Sequence, residues 1–319
     1  MLSVLLLTAA TANAAKSNGK PRAVAQPDGT TLVVKLLGDE HFSWYQTTDG
    51  VLLKRVNDAF YIGKITAAGT VESTGVLAHN LDTRNMEEKQ LAKAQNKDVF
   101  FSTPMQKDGN DGPHKAIANY PSNRFCPHMG EVKIPIIIVE YQDYPLSFKS
   151  LAIWEDYFNG TTRTPYTKET RFQGYGSVGM FFSDASNGKF TPKFDLYGPY
   201  TMSKTHDSYG GTSHNLLKEA VQLADGDIDF SKYDSNGDGN VDMVYVLYAG
   251  TGANLSNNDK DVWPFCTFYQ TIKTGEGKII NVIGAANELA VKDDPDVGTL
   301  RAGVGVTCHE MSCLTCTGI

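Results

Sequence analysis

A run of β-branched residues near the middle of the chain constrains the fold more than any other feature. Residues 133–141 read KIPIIIVEY, which predicts a buried strand that begins close to Pro135. Residues 243–249 predict a second strand, and residues 147–157 predict a helix. Residues 214–225 (HNLLKEAVQLAD) predict an amphipathic helix. One face of that helix carries Leu216, Leu217, Ala220, Val221 and Ala224, with Leu223 at its edge. Strands and an amphipathic helix in one segment predict an α+β fold.

The composition is that of an ordinary globular chain without a surface for nucleic acid. The 319 residues are 41% hydrophobic and 20% charged, and their number suits about two domains. The formal net charge is -7, and no cluster of Lys and Arg stands out, which argues against a nucleic-acid partner. Beyond the first residues no segment approaches about 18 uninterrupted apolar residues, so we expect no membrane span.

The beginning of the chain resembles a secretory signal. Residues 1–15 read MLSVLLLTAATANAA, with an apolar stretch over 2–7 and the small-residue site Ala12-Asn13-Ala14. The pattern predicts a signal peptide over 1–15 and therefore a secreted, extracellular protein. A buried N-terminal helix is the alternative interpretation of the same residues.

The next hundred residues predict a small, mostly β module. Residues 31–37 and 60–65 are strand candidates, and Asp-Gly pairs at 28–29 and 49–50 predict turns beside them. Residues 106–114 (QKDGNDGPH) have the composition of a linker, with a domain boundary expected at 113–123. We therefore expect one domain over 16–115 and a second over 116–319.

A loop before the second predicted strand carries oxygen donors at alternate positions. They are Asp234, Asn236, Asp238, Asn240 and Asp242, which can surround one hard cation while Gly239 permits a tight turn. Position twelve of the loop is Tyr245 instead of the glutamate of an EF-hand, so a calcium loop of another kind is predicted. An Asp/Asn/Gly turn without an ion remains the alternative.

His309 and Glu310 form the first half of an HExxH zinc-peptidase motif, on a helix predicted to begin near Leu300. In such a motif the histidine binds zinc and the glutamate takes a proton from the metal-bound water, while a second histidine lies one helical turn later. This sequence has Cys313 at that later position. By itself a His-Glu pair is a weak signal, since a buried or solvated pair has the same two letters.

The chain has five cysteines, an odd number. Cys313 and Cys316 have the spacing of a zinc or redox site, and a thiolate at Cys313, with Cys308 beside His309, offers a non-catalytic metal site as an alternative. Whether Cys126 pairs with Cys266 stays open at this point.

Taken in order, four stretches resemble one family. The stretches SVGMFFSDASNGKFTPKFDLYGPY, DIDFSKYDSNGDGNVDMVYVLYAG, VWPF and AGVGVTCHEMS resemble the catalytic domain of the immune inhibitor A-type secreted bacterial metallopeptidases. Residues 26–50 (QPDGTTLVVKLLGDEHFSWYQTTDG) resemble the pro-region before it. The resemblance implies a zinc endopeptidase of metzincin-like architecture with a mixed twisted sheet. It also implies a secreted zymogen whose pro-region docks on its own catalytic domain and whose substrates are proteins or peptides.

Carried over by position, the resemblance assigns His309 as the first zinc ligand and Glu310 as the general base. Cys313, Cys316 and Ile319 stand where the family motif HExxHxxGxxD has its second histidine, its glycine and its acidic residue. The expectation is an N-terminal part of a catalytic domain over 116–319, inactive as it stands because its active-site helix is incomplete. The alternative function is a secreted calcium-stabilised binding protein or pseudoenzyme.

Overall fold

The computed structural model describes most of the chain. The described residues are 16–39, 42–102, 126–127, 129–163, 176–267 and 271–315, with side chains described as far as Ser312. The predicted signal peptide, the linker at 106–114 and the boundary at 113–123 lie outside the described residues.

The N-terminal part is a six-stranded antiparallel meander followed by two short helices. Each strand pairs with the next along the chain. The bounds are β1 Arg22–Ala25, β2 Thr31–Gly38, β3 Ser43–Thr47, β4 Leu52–Val56, β5 Ala59–Ile65, β6 Val71–Leu77, α1 Met86–Lys93 and α2 Lys97–Ser102. In β2 the buried residues are Leu32, Val34 and Leu36, because alternate side chains of a strand share one face.

The turns of this meander were predicted from their Asp-Gly pairs. Gly29 and Gly50 both have φ of 85°, a left-handed conformation that glycine adopts without steric cost. The amide of Gly50 donates to the carbonyl of Thr47, closing the turn between β3 and β4. The predicted strands at 31–37 and 60–65 are therefore confirmed.

The rest of the chain builds a mixed sheet with helices, and a small three-stranded sheet beside it. The mixed sheet has the order β11-β14-β10-β7-β8, with β15 also paired to β14, and the small sheet has the order β12-β13-β9. The strands are β7 Lys133–Glu140, β8 Lys193–Thr201, β9 Asn240–Val241, β10 Val244–Thr251, β11 Phe265–Thr267, β12 Ile272–Lys273, β13 Ile279–Ile280, β14 Ile283–Asp294 and β15 Gly298–Arg301. The helices are α3 Leu151–Asn159, α4 Val178–Ala185, α5 His214–Ala224, α6 Ala253–Ser256 and α7 Val304–Thr315.

Four strands of the mixed sheet, β8, β7, β10 and β14, run parallel. After β7 the chain passes through α3 and α4 to β8 on one side, and after β8 it passes through α5 to β10 on the other side of β7. Because parallel crossovers are right-handed, this reversal places α5 on the face opposite to α3 and α4. With both faces covered, residues 134–139 of β7 are all buried, as the run of β-branched residues predicted.

Several element boundaries differ from the sequence-based expectation. The helix expected at 147–157 begins at Leu151, because the carboxylate of Glu288 holds the amide of Phe148 in the preceding loop at 2.7 Å. The candidate catalytic helix was expected near Leu300, which is wrong. Leu300 lies in β15, where it pairs with Val291 of β14, so α7 begins only at Val304.

One segment joins the two sheets. Ala253 and Trp263, at either end of the segment 252–263, pack into the apolar core of the N-terminal meander. Trp263 is 3% exposed. The hydroxyl of Tyr45 in β3 accepts a hydrogen bond of 3.0 Å from the amide of Asp259. The meander is thus anchored on the second part of the chain by buried apolar surface.

Two ion pairs lie at the rim of this contact. Arg55 pairs with Asp259, and Lys260 Nζ lies 2.6 Å from Asp58 Oδ1. Asp58 is largely exposed, and ion pairs at exposed sites contribute little to stability. Most of the stabilisation therefore comes from Trp263 and its apolar neighbours.

The predicted α+β class is confirmed at this level. Among the described residues the structure combines sheets with seven α-helices. None of those helices has the length and apolar character needed to cross a bilayer.

Candidate metal centres

Helix α7, which carries His309 and Glu310, packs on the mixed sheet through one face. Val304, Thr307, Cys308 and Met311 follow the spacing i, i+3, i+4, i+7 and are buried. This face contacts β14, β11 and α4. The hydroxyl of Thr307 lies 2.8 Å from that of Tyr157 in α3, which fixes the rotation of the helix.

This packing gives the two motif residues different surroundings. The His309 side chain is 22% exposed, whereas that of Glu310 is 1% exposed, and their Nε2 and Oε1 atoms are 4.0 Å apart. The imidazole therefore reaches the surface, and the carboxylate lies beneath it.

The carboxylate of Glu310 lies close to a buried tyrosine of β10. Burial raises the pKa of the Tyr245 hydroxyl well above its ordinary value, and the negative charge of Glu310 adds to the increase. Tyr245 is 0% exposed. Glu310 thus sits at the boundary between the helix surface and the core of the mixed sheet.

The cysteines near the motif do not add a ligand among the described side chains. Cys126 and Cys308 are buried free thiols. Burial raises the pKa of the Cys308 thiol, which packs on the buried face of α7. The side chain of Cys313 and the whole of Cys316 lie outside the described residues.

A zinc centre is not completed by the residues that the structure describes. Among them, no three His, Cys, Asp or Glu side chains are grouped closely enough to hold a metal ion. A catalytic zinc site takes three protein ligands. Among the described side chains of the motif, His309 is the one that would bind the metal, so two further ligands are missing from that set. In that scheme Glu310 is a base and not a ligand.

The predicted calcium loop folds around its own backbone amides. All five predicted residues lie in one turn, and their side-chain oxygens accept hydrogen bonds from backbone amides of the same turn. Asp234 Oδ1 and Asn236 Oδ1 both accept from the amide of Asp238. Asp238 Oδ1 accepts from the amide of Asn240, and Asp242 Oδ2 accepts from the amide of Ser235. Gly239 has φ of 92°, the conformation for which a glycine was expected there. The chain then enters β10, so the loop does not lead into a helix as an EF-hand does.

A lysine from a distant turn already neutralises part of this loop. Lys278 Nζ lies 2.7 Å from Asp234 Oδ2, and the Asp234 side chain is 1% exposed. Burial raises the pKa of Asp242, with the charges of Asp234 and Asp238 adding to the increase. The oxygen donors suit a hard cation, but the carboxylates are directed at amides and at Lys278 instead of at one common point.

If the loop binds calcium, the substitution Asp238→Ala should remove the calcium-dependent part of the stability. At a calcium concentration about 100 times the Kd, binding stabilises a native protein by about 2.7 kcal/mol. We expect this increment in the unaltered protein and its loss in the variant, measured by thermal unfolding with and without Ca²⁺.

Asp229→Ala is the matched control for this measurement. Asp229 caps the preceding turn by accepting from Ser231, so its loss should cost about 1 kcal/mol equally with and without Ca²⁺. If Asp238→Ala behaves in the same way as the control, the loop is a plain turn.

Sequence reasoning missed Lys278 and a second polar cluster around His206. Lys278 is 44 residues from Asp234, and no spacing rule connects residues so far apart. Asp143 is 63 residues from His206, and the same holds for that pair.

The chain was compared with known proteins at two levels. No protein-family model matches it, and no curated protein matches it significantly. The resemblance to the immune inhibitor A-type metallopeptidases therefore stays a prediction based on its motifs.

Proposed function

We propose that this protein is the precursor of a secreted zinc-dependent endopeptidase of metzincin-like architecture, with His309 as a zinc ligand and Glu310 as the general base. The observation that carries the proposal is the placement of these two residues on a helix that packs beside an antiparallel edge strand of a mixed sheet. The substrates are proteins or peptides, and the signal at residues 1–15 directs the protein outside the cell.

The roles of the two residues follow from their surroundings. The His309 side chain is 22% exposed, and its Nε2 atom lies 4.0 Å from the carboxylate of Glu310. Zinc held by His309 would supply a Lewis acid. Glu310 would serve as the base that takes a proton from the attacking water.

The N-terminal meander is proposed to be the pro-region of the zymogen. Its contact with the segment 252–263 buries Trp263, the residue of the VWPF stretch two positions before β11. Strand β11 in turn lies against α7. Strand β11 therefore connects the docked meander to α7, the helix that carries His309 and Glu310.

A non-catalytic, calcium-stabilised binding protein is the second candidate function. It is favoured by the burial of Glu310, which is 1% exposed, and by the lack of a three-ligand group within the described residues. In that function the helix packs as a structural element, and the Asp/Asn loop binds calcium.

The metal content of the protein distinguishes the two candidates. Because the sequence after Ser312 departs from the family motif, the gene is sequenced past that codon and the protein is expressed from its full open reading frame. The protein is then freed of adventitious metal by dialysis and assayed for zinc and for casein cleavage. We expect cleavage together with a zinc ion that depends on His309, so that His309→Ala loses cleavage and contains one zinc ion fewer per chain. A protein with neither zinc nor cleavage overturns the peptidase proposal.

His214→Ala is the matched control, because His214 lies at the start of α5 with its ring edge-on to Phe265. That substitution should leave both zinc and cleavage in place. Equal loss of zinc in both variants would mean that no particular histidine holds the metal.

A further inference from the structure

A second polar cluster lies at the carboxyl end of the parallel strands. Strands β7 and β10 are neighbours at the point where the order of the sheet reverses. In open sheets with helices on both faces, the carboxyl ends of two such strands leave a crevice in which ligands bind. Here the crevice is a cavity of about 30 Å³ between the loop after β7 and the end of β10.

His206 lines this cavity, and Asp143 holds it in position. Asp143, in the loop after β7, accepts from the backbone amide of His206 at 2.9 Å and lies 2.7 Å from its Nδ1. Since the Nδ1 proton is donated to this carboxylate, the neutral imidazole has its lone pair on Nε2. Metal-binding histidines are usually oriented by a carboxylate on the other ring nitrogen in this way.

The Nε2 atom faces a second carboxylate across a gap. Asp261 Oδ1 lies 3.8 Å from His206 Nε2, which is too long for a hydrogen bond. Bonds from zinc to nitrogen or oxygen ligands are about 2.0–2.2 Å long. Two ligand atoms on one zinc ion are therefore about 3.4 Å apart at a tetrahedral angle and about 4.2 Å apart when they lie on opposite sides of the ion. The observed distance of 3.8 Å lies between these values, so one ion fits between the two atoms.

The surroundings of Asp261 favour a cation in this gap. Its side chain is 15% exposed and lines the same cavity as His206. A cavity of about 30 Å³ holds an ion and a water, because a single water needs about 10–15 Å³.

From this geometry we infer that His206 and Asp261 bind a divalent transition-metal ion, with Asp143 orienting the imidazole and water completing the coordination. An imidazole and a carboxylate together suit Zn²⁺ and related ions. The site is distinct from His309 and does not depend on the proposed peptidase activity. Bound metal ties the segment 252–263, which carries the N-terminal meander, to the loop after β8 that holds His206.

Metal titration of the purified, untagged protein tests this site. The His309→Ala variant is used throughout, so that the proposed catalytic site contributes nothing, and excess Ca²⁺ is present to saturate the Asp/Asn loop. Zn²⁺ is titrated by calorimetry, and Co²⁺ is titrated by visible absorption, which reports its coordination. We expect one ion per chain and a rise in the unfolding temperature when metal is added.

Three further substitutions separate binding from folding. His206→Ala and Asp261→Asn should abolish or strongly weaken binding, and Asp143→Asn should weaken it about 10- to 100-fold because the imidazole loses its orienting partner. His214→Ala should leave the affinity unchanged. Far-UV circular dichroism and unfolding without metal verify that each variant is folded.

Two outcomes would overturn the inference. One is Zn²⁺ binding with equal affinity in folded His206→Ala and in its parent. The other is a parent protein that binds neither Zn²⁺ nor Co²⁺, in which case His206 only links two carboxylates. Either result leaves the assignment of His309 and Glu310 untouched.

Discussion

Replacing Glu310 by Gln should abolish casein cleavage while leaving zinc bound. The amide cannot take a proton from the attacking water, and general-base catalysis contributes about 100- to 10,000-fold to turnover. The imidazole of His309, which is the proposed zinc ligand, is unchanged by the substitution. Cleavage rate and zinc content are measured on the same preparation expressed from the full open reading frame.

Glu276→Gln is the control for this substitution, since Glu276 lies in an exposed turn between β12 and β13. It should retain full cleavage and full zinc content. Unchanged turnover in Glu310→Gln would remove Glu310 from the role of base, and loss of zinc in that variant would make Glu310 a ligand instead.

Trp263→Ala should destabilise the protein by about 3–5 kcal/mol and release the N-terminal meander. Truncating a buried tryptophan removes apolar contacts and leaves a cavity that the surrounding core fills only in part. Trp263 is 3% exposed and packs among residues of the meander, so the cavity opens at the contact between the two sheets. Denaturant unfolding measures the free energy, and limited proteolysis with mass spectrometry detects the release.

Trp154→Ala provides a matched comparison. Trp154 is 1% exposed and belongs to the core of the mixed sheet. The substitution Trp154→Ala should therefore lower the free energy of unfolding by a similar amount. Its meander should remain docked and protected under native conditions. If both variants release the meander equally, the contact at Trp263 has no special part in docking.

Release of the meander also bears on the zymogen proposal. Under that proposal, Trp263→Ala increases casein cleavage by the unprocessed precursor, because the pro-region no longer stays docked on the segment 252–263. Cleavage that is unchanged after verified release would show that the meander does not restrain activity.

Much of the fold could be predicted because it depends on short-range patterns. Alternating apolar residues define β2, and the buried face of α5 contains the five residues that its periodicity predicted. Asp-Gly pairs define turns because glycine adopts positive φ without steric cost. The start of α7 could not be found in this way, because the pairing of residues 298–301 with β14 decides it.

The sequence by itself determined which residues are chemically able to form a site, namely the His309-Glu310 pair and the Asp/Asn loop. Only the tertiary structure decided their surroundings. The packing of α7 buries Glu310 below His309, Lys278 reaches Asp234 from 44 residues away, and Asp143 orients His206 from 63 residues away. The physical reason is that hydrogen bonding and burial act between atoms that folding brings together, whatever their separation along the chain.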